Sequence, residues 1–249
     1  MIFLHYIYSM KKEIKILPIF NPEKCDFWAN FQLLYKITAE YDYDMTITPA
    51  NLQTLMQNVR DSGANILFGA YDGNKMVGCM VASASRSSVK IQYLHVLPEY
   101  QKHRIGTQLL STTECAASLV AKKAELISWG KAENFYKRHK YTSPTHDNKY
   151  EKDIRNAGNY TVQPVFSRTK KILNTFAEIS SVSYDTIKQE IKPRTPVFVY
   201  RSPDIFISGY GYINDKNESV IYTHAGNKFV REQIAKRIAM HQQRMSEIR

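Results

Sequence analysis

The residues best spaced for chemistry in this 249-residue chain run from Gln92 to Leu110, Gln-Tyr-Leu-His-Val-Leu-Pro-Glu-Tyr-Gln-Lys-His-Arg-Ile-Gly-Thr-Gln-Leu-Leu. An apolar stretch ends at Pro98, a short basic turn follows, then Gly106 and a leucine-rich helical pattern. A strand that stops at a turn and restarts as a helix aims several backbone N–H groups, and the positive end of a helix dipole, at one point. That point suits a phosphate-bearing ligand and needs no metal. Two elements must position it. Val89 to Leu97 is the expected strand. Gly106 to about Ala121 is the expected helix, with Leu109, Leu110, Cys115, Leu119 and Val120 inward.

The run resembles the cofactor-binding motif of the GNAT superfamily of N-acetyltransferases, in which a turn of pattern Gln/Arg-x-x-Gly-x-Gly/Ala holds the pyrophosphate of acetyl-CoA. The corresponding residues are Gln101, Lys102, His103, Arg104, Ile105 and Gly106, with an arginine in place of the first glycine. A second segment, Ala132-Glu133-Asn134-Phe135-Tyr136-Lys137-Arg138-His139-Lys140-Tyr141, is similar to the family's Ala-x-x-Phe-Tyr-x-x-x-Gly-Phe. Here the glycine is Lys140, and the asparagine that often precedes the alanine by three residues is Trp129. The resemblance covers roughly residues 10–155.

The resemblance implies an acetyl-CoA-dependent acyltransferase acting on a primary amine by direct attack. Leu94 and Val96 are expected to offer backbone groups to the pantetheine arm as a strand would. The backbone of Gln101, Lys102, His103, Arg104, Ile105, Gly106 and Thr107 is expected to surround the diphosphate. Arg104 is at ease there only if its φ is negative, and it can add a charge-assisted bond to phosphate. Tyr136 falls where many members keep a tyrosine near the sulfur, and a phenol can protonate a departing thiolate. The base is less determined. Glu99 lies just past the strand, His95 lies on it, and alternation turns His95 away from Leu94 and Val96. Glu40, Asp42 and Asp44 are expected in a loop bordering the acceptor, where they can recognise a cation. Each of these residues also has a plainer reading: a core aromatic, a satisfied buried histidine or solvated charges. Lys102, His103, Lys137, Arg138, His139 and Lys140 form two basic clusters that would flank the phosphates.

The remaining pattern supplies a scaffold of the same kind. Lys12 to Phe20 reads as a strand, Glu23 to Ala39 as a helix, and Thr48-Pro49 opens a second helix that stops near Ser62-Gly63. Ile66 to Tyr71 and Lys75 to Ser83 are strands joined by Asp72-Gly73-Asn74. Ala124 to Trp129 is a strand and Ala132 to His139 a short helix. Tyr141–Ser143 and Lys149–Ile154 are closing strands. The expected class is α/β (α+β), a GNAT-like mixed central sheet flanked by helices, over residues 1–155.

Arg155 to Asn159 marks a boundary. Residues 156–249 read as a second, smaller α+β domain: a strand Thr161–Phe166, helices Lys170–Ile179 and Tyr184–Ile191, strands Pro196–Arg201, Asp204–Tyr212 and Ser219–Tyr222, and a basic helix from Val230 to about Ile248. A winged-helix-like module and a plain α+β domain both fit this order.

The net charge of +11 favours anionic partners, including nucleic acid and coenzyme A. Basic residues outnumber acidic ones 20 to 15 in residues 1–155 and 14 to 8 beyond, so a nucleic-acid contact is expected through residues 156–249. Two other functional readings follow: a nucleic-acid-associated regulator, and a protein that binds coenzyme A without chemistry. The acceptor is an amine on a small molecule, a peptide or an RNA, and a homodimer is compatible with the fold. Cys25, Cys79 and Cys115 have no metal-site spacing and fit inert thiols in a reducing cytoplasm. The apolar segment Met1–Met10 is too short to span a bilayer, and its charges follow it, the wrong order for a secretory signal. An upstream extension or a start at Met10 is expected instead.

Overall fold

The computed structural model describes residues 14–128, 130–145, 147–159, 161–202 and 207–248. The expectations for Met1–Met10 and for Trp129 lie outside these residues.

Strands β1 (Lys15–Pro18), β2 (Ile66–Asp72), β3 (Lys75–Ala84), β4 (Ser88–Val96), β5 (Lys123–Ile127) and β6 (Lys149–Asp153) form one sheet in chain order. All neighbours are antiparallel except β4 and β5. Asp72 faces Lys75 across the tight turn, where Gly73 has φ +56°, the left-handed region that favours glycine. Helices α1 (Phe27–Tyr43) and α2 (Pro49–Asp61) precede β2. Helix α3 (Ile105–Ala117) joins β4 to β5, and α4 (Glu133–Arg138) joins β5 to β6. Thr48 caps α2 through the Asn51 N–H at 3.2 Å, Asn51 returns a bond to the Thr48 N–H at 2.9 Å, and Pro49 supplies the fixed φ of the first turn.

Helices α1 and α3 sit on opposite faces of β3 and β4. Leu109 and Ile105 of α3 close on Gly78, where a Cβ would lie 3.3 and 3.4 Å from their methyl carbons. Phe31 and Tyr35 of α1 pack on Tyr93 and His95. The core between these layers holds Phe27, Phe31, Phe68, Met80, Ile105, Leu109 and Tyr141, all essentially removed from water.

Helix α1 runs to Tyr43, further than the Ala39 expected. Glu40 and Asp42 are therefore helical, and the stop is made by Asp44, whose φ of +54° turns its N–H onto the Ala39 carbonyl. That left-handed cap satisfies a carbonyl the helix end would otherwise orphan. In the expected strand Tyr141–Ser143, only Thr142 pairs, as a single bridge to Glu151.

The second sheet is antiparallel, in the order β10 (Ser219–Thr223), β9 (Gly209–Ile213), β8 (Val197–Arg201), β7 (Thr161–Pro164). Helices α5 (Lys170–Ser180) and α6 (Tyr184–Glu190) cover one face, and α7 (Lys228–Glu247) covers the other. Strand β9 shows why. Its alternate residues Gly209 and Gly211 admit α7 so closely that a Cβ at Gly211 would lie 2.7 Å from an Ile234 methyl. Tyr210 and Tyr212 point the other way, and Tyr210 stacks on Phe176 of α5 with ring centroids 4.1 Å apart. The expected strand from Asp204 is observed as Gly209–Ile213, its first residues falling outside those described.

Arg201 of β8 donates to the Ala157 carbonyl at 3.1 Å and also to Ser118 Oγ at the end of α3. Leu119 joins the core beneath α5 and α6. Lys15 Nζ meets Glu247 Oε2 at 2.9 Å, tying β1 to α7. Among the described residues, no helix is long and apolar enough to cross a membrane.

Candidate active site

Strand β4 pairs with β5 only from Ser88 to Ile91, opposite Lys123 to Leu126. At Gln92 the chain bulges: Val81 faces Tyr93 and Ala82 faces Ile91, so Gln92 has no opposite number on β3. A bulge bends its strand and increases the local twist. Beyond it, residues 92–96 keep β3 on one edge and have no β5 partner on the other. Leu94 and Val96 lie on this freed length, half-buried.

The turn after β4 is a short 3-10 segment, Pro98–Tyr100, followed by two left-handed residues, Lys102 (φ +65°) and Arg104 (φ +63°). Arg104 is the N-cap of α3. Its backbone takes the conformation in which a glycine costs nothing, whereas for other residues the left-handed region costs roughly 1–2 kcal/mol. The expectation of ease at negative φ is therefore not met; Arg104 takes this conformation as the last of the eight residues, 97–104, that join β4 to α3. Among the described residues, no protein acceptor engages the N–H groups of residues 102–107. The side chains of Lys102, His103 and Arg104 are exposed, while Ile105 is buried and anchors the turn. His103 Nδ1 donates back to the Gln101 carbonyl at 2.8 Å. Gln101 Nε2 lies 3.3 Å from the Val96 carbonyl and 3.4 Å from Asp42 Oδ2, holding the strand end against the last turn of α1.

The second motif closes on the first. A Cβ at Gly106 would touch the Phe135 ring at 3.5 Å and a Val96 methyl at 3.9 Å. His139 Nδ1 is 2.8 Å from the Phe135 carbonyl, so this nitrogen carries the proton. Nε2 must then accept, and it receives the Thr107 hydroxyl at 3.0 Å. Tyr136 is buried between Phe135 and Tyr141, edge to face with both. Lys140, standing where the motif has glycine, has φ +66°. Tyr141 donates to Glu114 Oε1 at 3.0 Å, and Lys152 Nζ reaches the other oxygen at 2.7 Å.

On the opposite face, His95 Nδ1 lies 2.8 Å from Thr38 Oγ1. Thr38 gives its own proton to the Leu34 carbonyl at 2.8 Å, so Nδ1 donates and Nε2 keeps its lone pair. Nε2 has no partner among the described residues; the side chain is half-buried overall, but this atom is shut from solvent, with the rings of Phe31, Tyr35 and Tyr93 around it. Loss of hydration pushes the imidazole down to about 4, so it is neutral at pH 7. Glu99 differs in every respect. It is exposed, pairs with Lys75 Nζ at 3.3 Å, and is held below the usual carboxylate range by a backbone N–H and by Lys75. A cleft of about 790 Å³ lies beside the freed strand, between Ile91, Gln92 and Tyr93 of β4, Leu126 and Ile127 of β5, and α2.

These features coincide with the segment picked out by comparison with known proteins. Residues 63–143 match the family model described as acetyltransferase (GNAT) domain. The matched segment contains both motifs, the bulge, the freed length of β4 and the cradle, which is the turn 102–107. Similar solved structures include a GNAT-family acetyltransferase from Staphylococcus aureus Mu50, at 17% identity over 57% of this chain and 99% of that one, TM-score 0.44. A PaiA N-acetyltransferase from Thermoplasma acidophilum, solved with coenzyme A, is 13% identical over 57% and 99%, TM-score 0.44. A GNAT-family acetyltransferase from Brucella melitensis, solved with acetyl-CoA, is 13% identical over 57% and 88%, TM-score 0.44. No curated protein matches the chain.

Three contacts around the site have no counterpart in the sequence reading: Thr107 with His139, Gln101 with Asp42, and Thr38 with His95. His139 is visible in sequence only as one member of a basic cluster, and Thr38 carries no signal at all.

Proposed function

We propose that the chain is an N-acetyltransferase that moves an acetyl group from acetyl-CoA to a primary amine by direct attack, in the cytoplasm. The observation that carries this reading is the row of unengaged N–H groups at 102–107, set beside a strand whose outer edge is open. Such a row, at a helix N-terminus, fits a diphosphate, and an open strand edge fits an amide-bearing arm. The thioester of bound acetyl-CoA supplies the activated acetyl carbonyl.

The chain's own residues then have defined tasks. The backbone of Gln101 to Thr107 holds the phosphates, and Leu94 and Val96 orient the arm toward α4. Tyr136 gives its phenolic proton to the sulfur as the carbon–sulfur bond breaks and the carbon–nitrogen bond forms. Its own proton is restored from solvent. Glu99 remains charged and open to water, so it takes the ammonium proton through water in this reading. His95, neutral and enclosed, forms the wall behind the acceptor. Residues 156–249 serve as an accessory domain that fixes the lower end of α3 through Arg201 and Leu119.

The test is thiol release from acetyl-CoA across a panel of amines, with calorimetric titration of coenzyme A in parallel. Binding with amine-dependent release supports the transferase. Binding without release for any amine leaves a protein that holds coenzyme A and does no chemistry. No binding overturns the cradle itself.

A further inference from the structure

A second cleft, of about 830 Å³, lies at the other end of the first sheet, around the β3–β4 turn, the start of β5 and the edge strand β6. Six of its lining residues are cationic. Three are held by carboxylates: Lys123 by Glu125 at 2.7 Å and Glu151 at 3.0 Å, Lys152 by Glu114 at 2.7 Å, and Arg155 by Asp153. The other three, Arg86, Lys122 and Lys140, are exposed and meet no carboxylate among the described residues. The remaining polar wall is Ser85, Ser87, Thr142 and the carboxylates of Glu151 and Asp153, both of which are paired with cations of the same lining. No aromatic side chain lines the cleft.

We propose that this cleft binds the phosphate backbone of a nucleic acid. Three uncompensated cations match phosphate oxygens in charge and supply N–H donors to them. With no aromatic surface nothing stacks a base, so the contact is to the backbone and independent of sequence. The volume, about 830 Å³, is at the upper end for a small-ligand pocket. Apart from Lys140, which follows the His139 that bonds Thr107, the lining lies away from the 102–107 turn. Ser88 and Val96 are the two ends of β4, and eight steps of about 3.3 Å separate them by roughly 26 Å. It also lies on the first sheet, whereas composition points to residues 156–249 as the basic surface. The proposal does not depend on acetyl transfer.

The experiment is fluorescence anisotropy of the full chain with a labelled random duplex of about 20 base pairs over a series of KCl concentrations. Three neutralised phosphates give a log–log salt slope of about −2.7, at roughly 0.9 per contact. The double variant Arg86→Ala/Lys122→Ala should flatten the slope by about 1.8, with its melting temperature and its calorimetric affinity for acetyl-CoA unchanged. Arg86→Lys should retain the slope. Four results would overturn the proposal: no duplex binding at low salt, an unaltered slope in the double variant, a parallel loss of acetyl-CoA affinity, or displacement of the duplex by tripolyphosphate at a lower phosphate concentration than by unlabelled duplex. The last would identify a small polyphosphate as the occupant.

Discussion

Thr107 donates its hydroxyl proton to His139 Nε2 at 3.0 Å, joining the first turn of α3 to the end of α4 across 32 residues of sequence. Because His139 Nδ1 is committed to the Phe135 carbonyl, the imidazole works as a fixed strut. It sets the distance between the N–H cradle and the helix that carries Tyr136. It also turns the Thr107 hydroxyl away, so that residue faces the cradle with its N–H alone.

A hydrogen bond of this kind contributes about 1 kcal/mol. His139→Ala should raise the KM for acetyl-CoA about fivefold, by the same energy. Thr107→Val should do the same, and the double variant should be no worse than either single one. A double-mutant cycle on KM checks the coupling; strictly additive effects would show that the two side chains act separately.

Arg104 carries strain that a glycine would lack. Arg104→Gly should raise stability by about 1 kcal/mol, read from urea unfolding, whereas Arg104→Ala should give no gain because its Cβ meets the same clash. If the guanidinium also meets phosphate, Arg104→Gly and Arg104→Ala should weaken acetyl-CoA binding equally. Equal stability for all three forms would place the strain elsewhere.

The roles of Tyr136, Glu99 and His95 separate kinetically. Tyr136→Phe should lower kcat by about a hundredfold or more with little change in the affinity for acetyl-CoA. Glu99→Gln should remove the acidic limb of the kcat/KM profile. His95→Gln should leave that limb in place, because His95 Nε2 is closed off from water and Nδ1 is committed to Thr38, whereas Glu99 is open to solvent. A lost limb in His95→Gln with a normal limb in Glu99→Gln would exchange the two assignments.

His241 of α7 is buried against Phe20 and Phe198, with Nδ1 lacking a partner among the described residues, and loss of hydration, aided by Arg237, pushes it down to about 4. In the unfolded chain it titrates near 6.5. Between those values the unfolded chain binds the proton and the folded one does not, so stability falls as pH drops from about 6.5 toward 4 and is whole above that window. Each such histidine gives a slope approaching about 1.4 kcal/mol per pH unit. His241→Phe should make that fall shallower, measured by urea unfolding across the window. An unchanged slope would assign the acid sensitivity to other groups, of which His95 is the next to test.

The elements around the site were legible because each is written in a local run. Thr48-Pro49 announces α2, Asp72-Gly73-Asn74 the hairpin, and the apolar run to Pro98 with Gly106 beyond it the strand, turn and helix of the cradle. The two motifs lie within the segment that the acetyltransferase (GNAT) domain model matches. The extent of α1 was not legible, because Glu40 to Asp44 are polar enough for a loop and are helical only through the left-handed cap at Asp44.

What the sequence by itself determined is therefore the order of most elements and the place of the turn between β4 and α3. Tertiary structure alone decided that Arg104 sits at positive φ, that His139 braces Thr107, and that α1 seals His95. It also decided that cations from β3–β4, α3–β5 and β6 share one cleft. The physical reason is range. Periodicity, capping and turn preference act over a few residues, whereas a hydrogen bond across 57 residues, such as His95 with Thr38, exists only once two packed layers fix the distance.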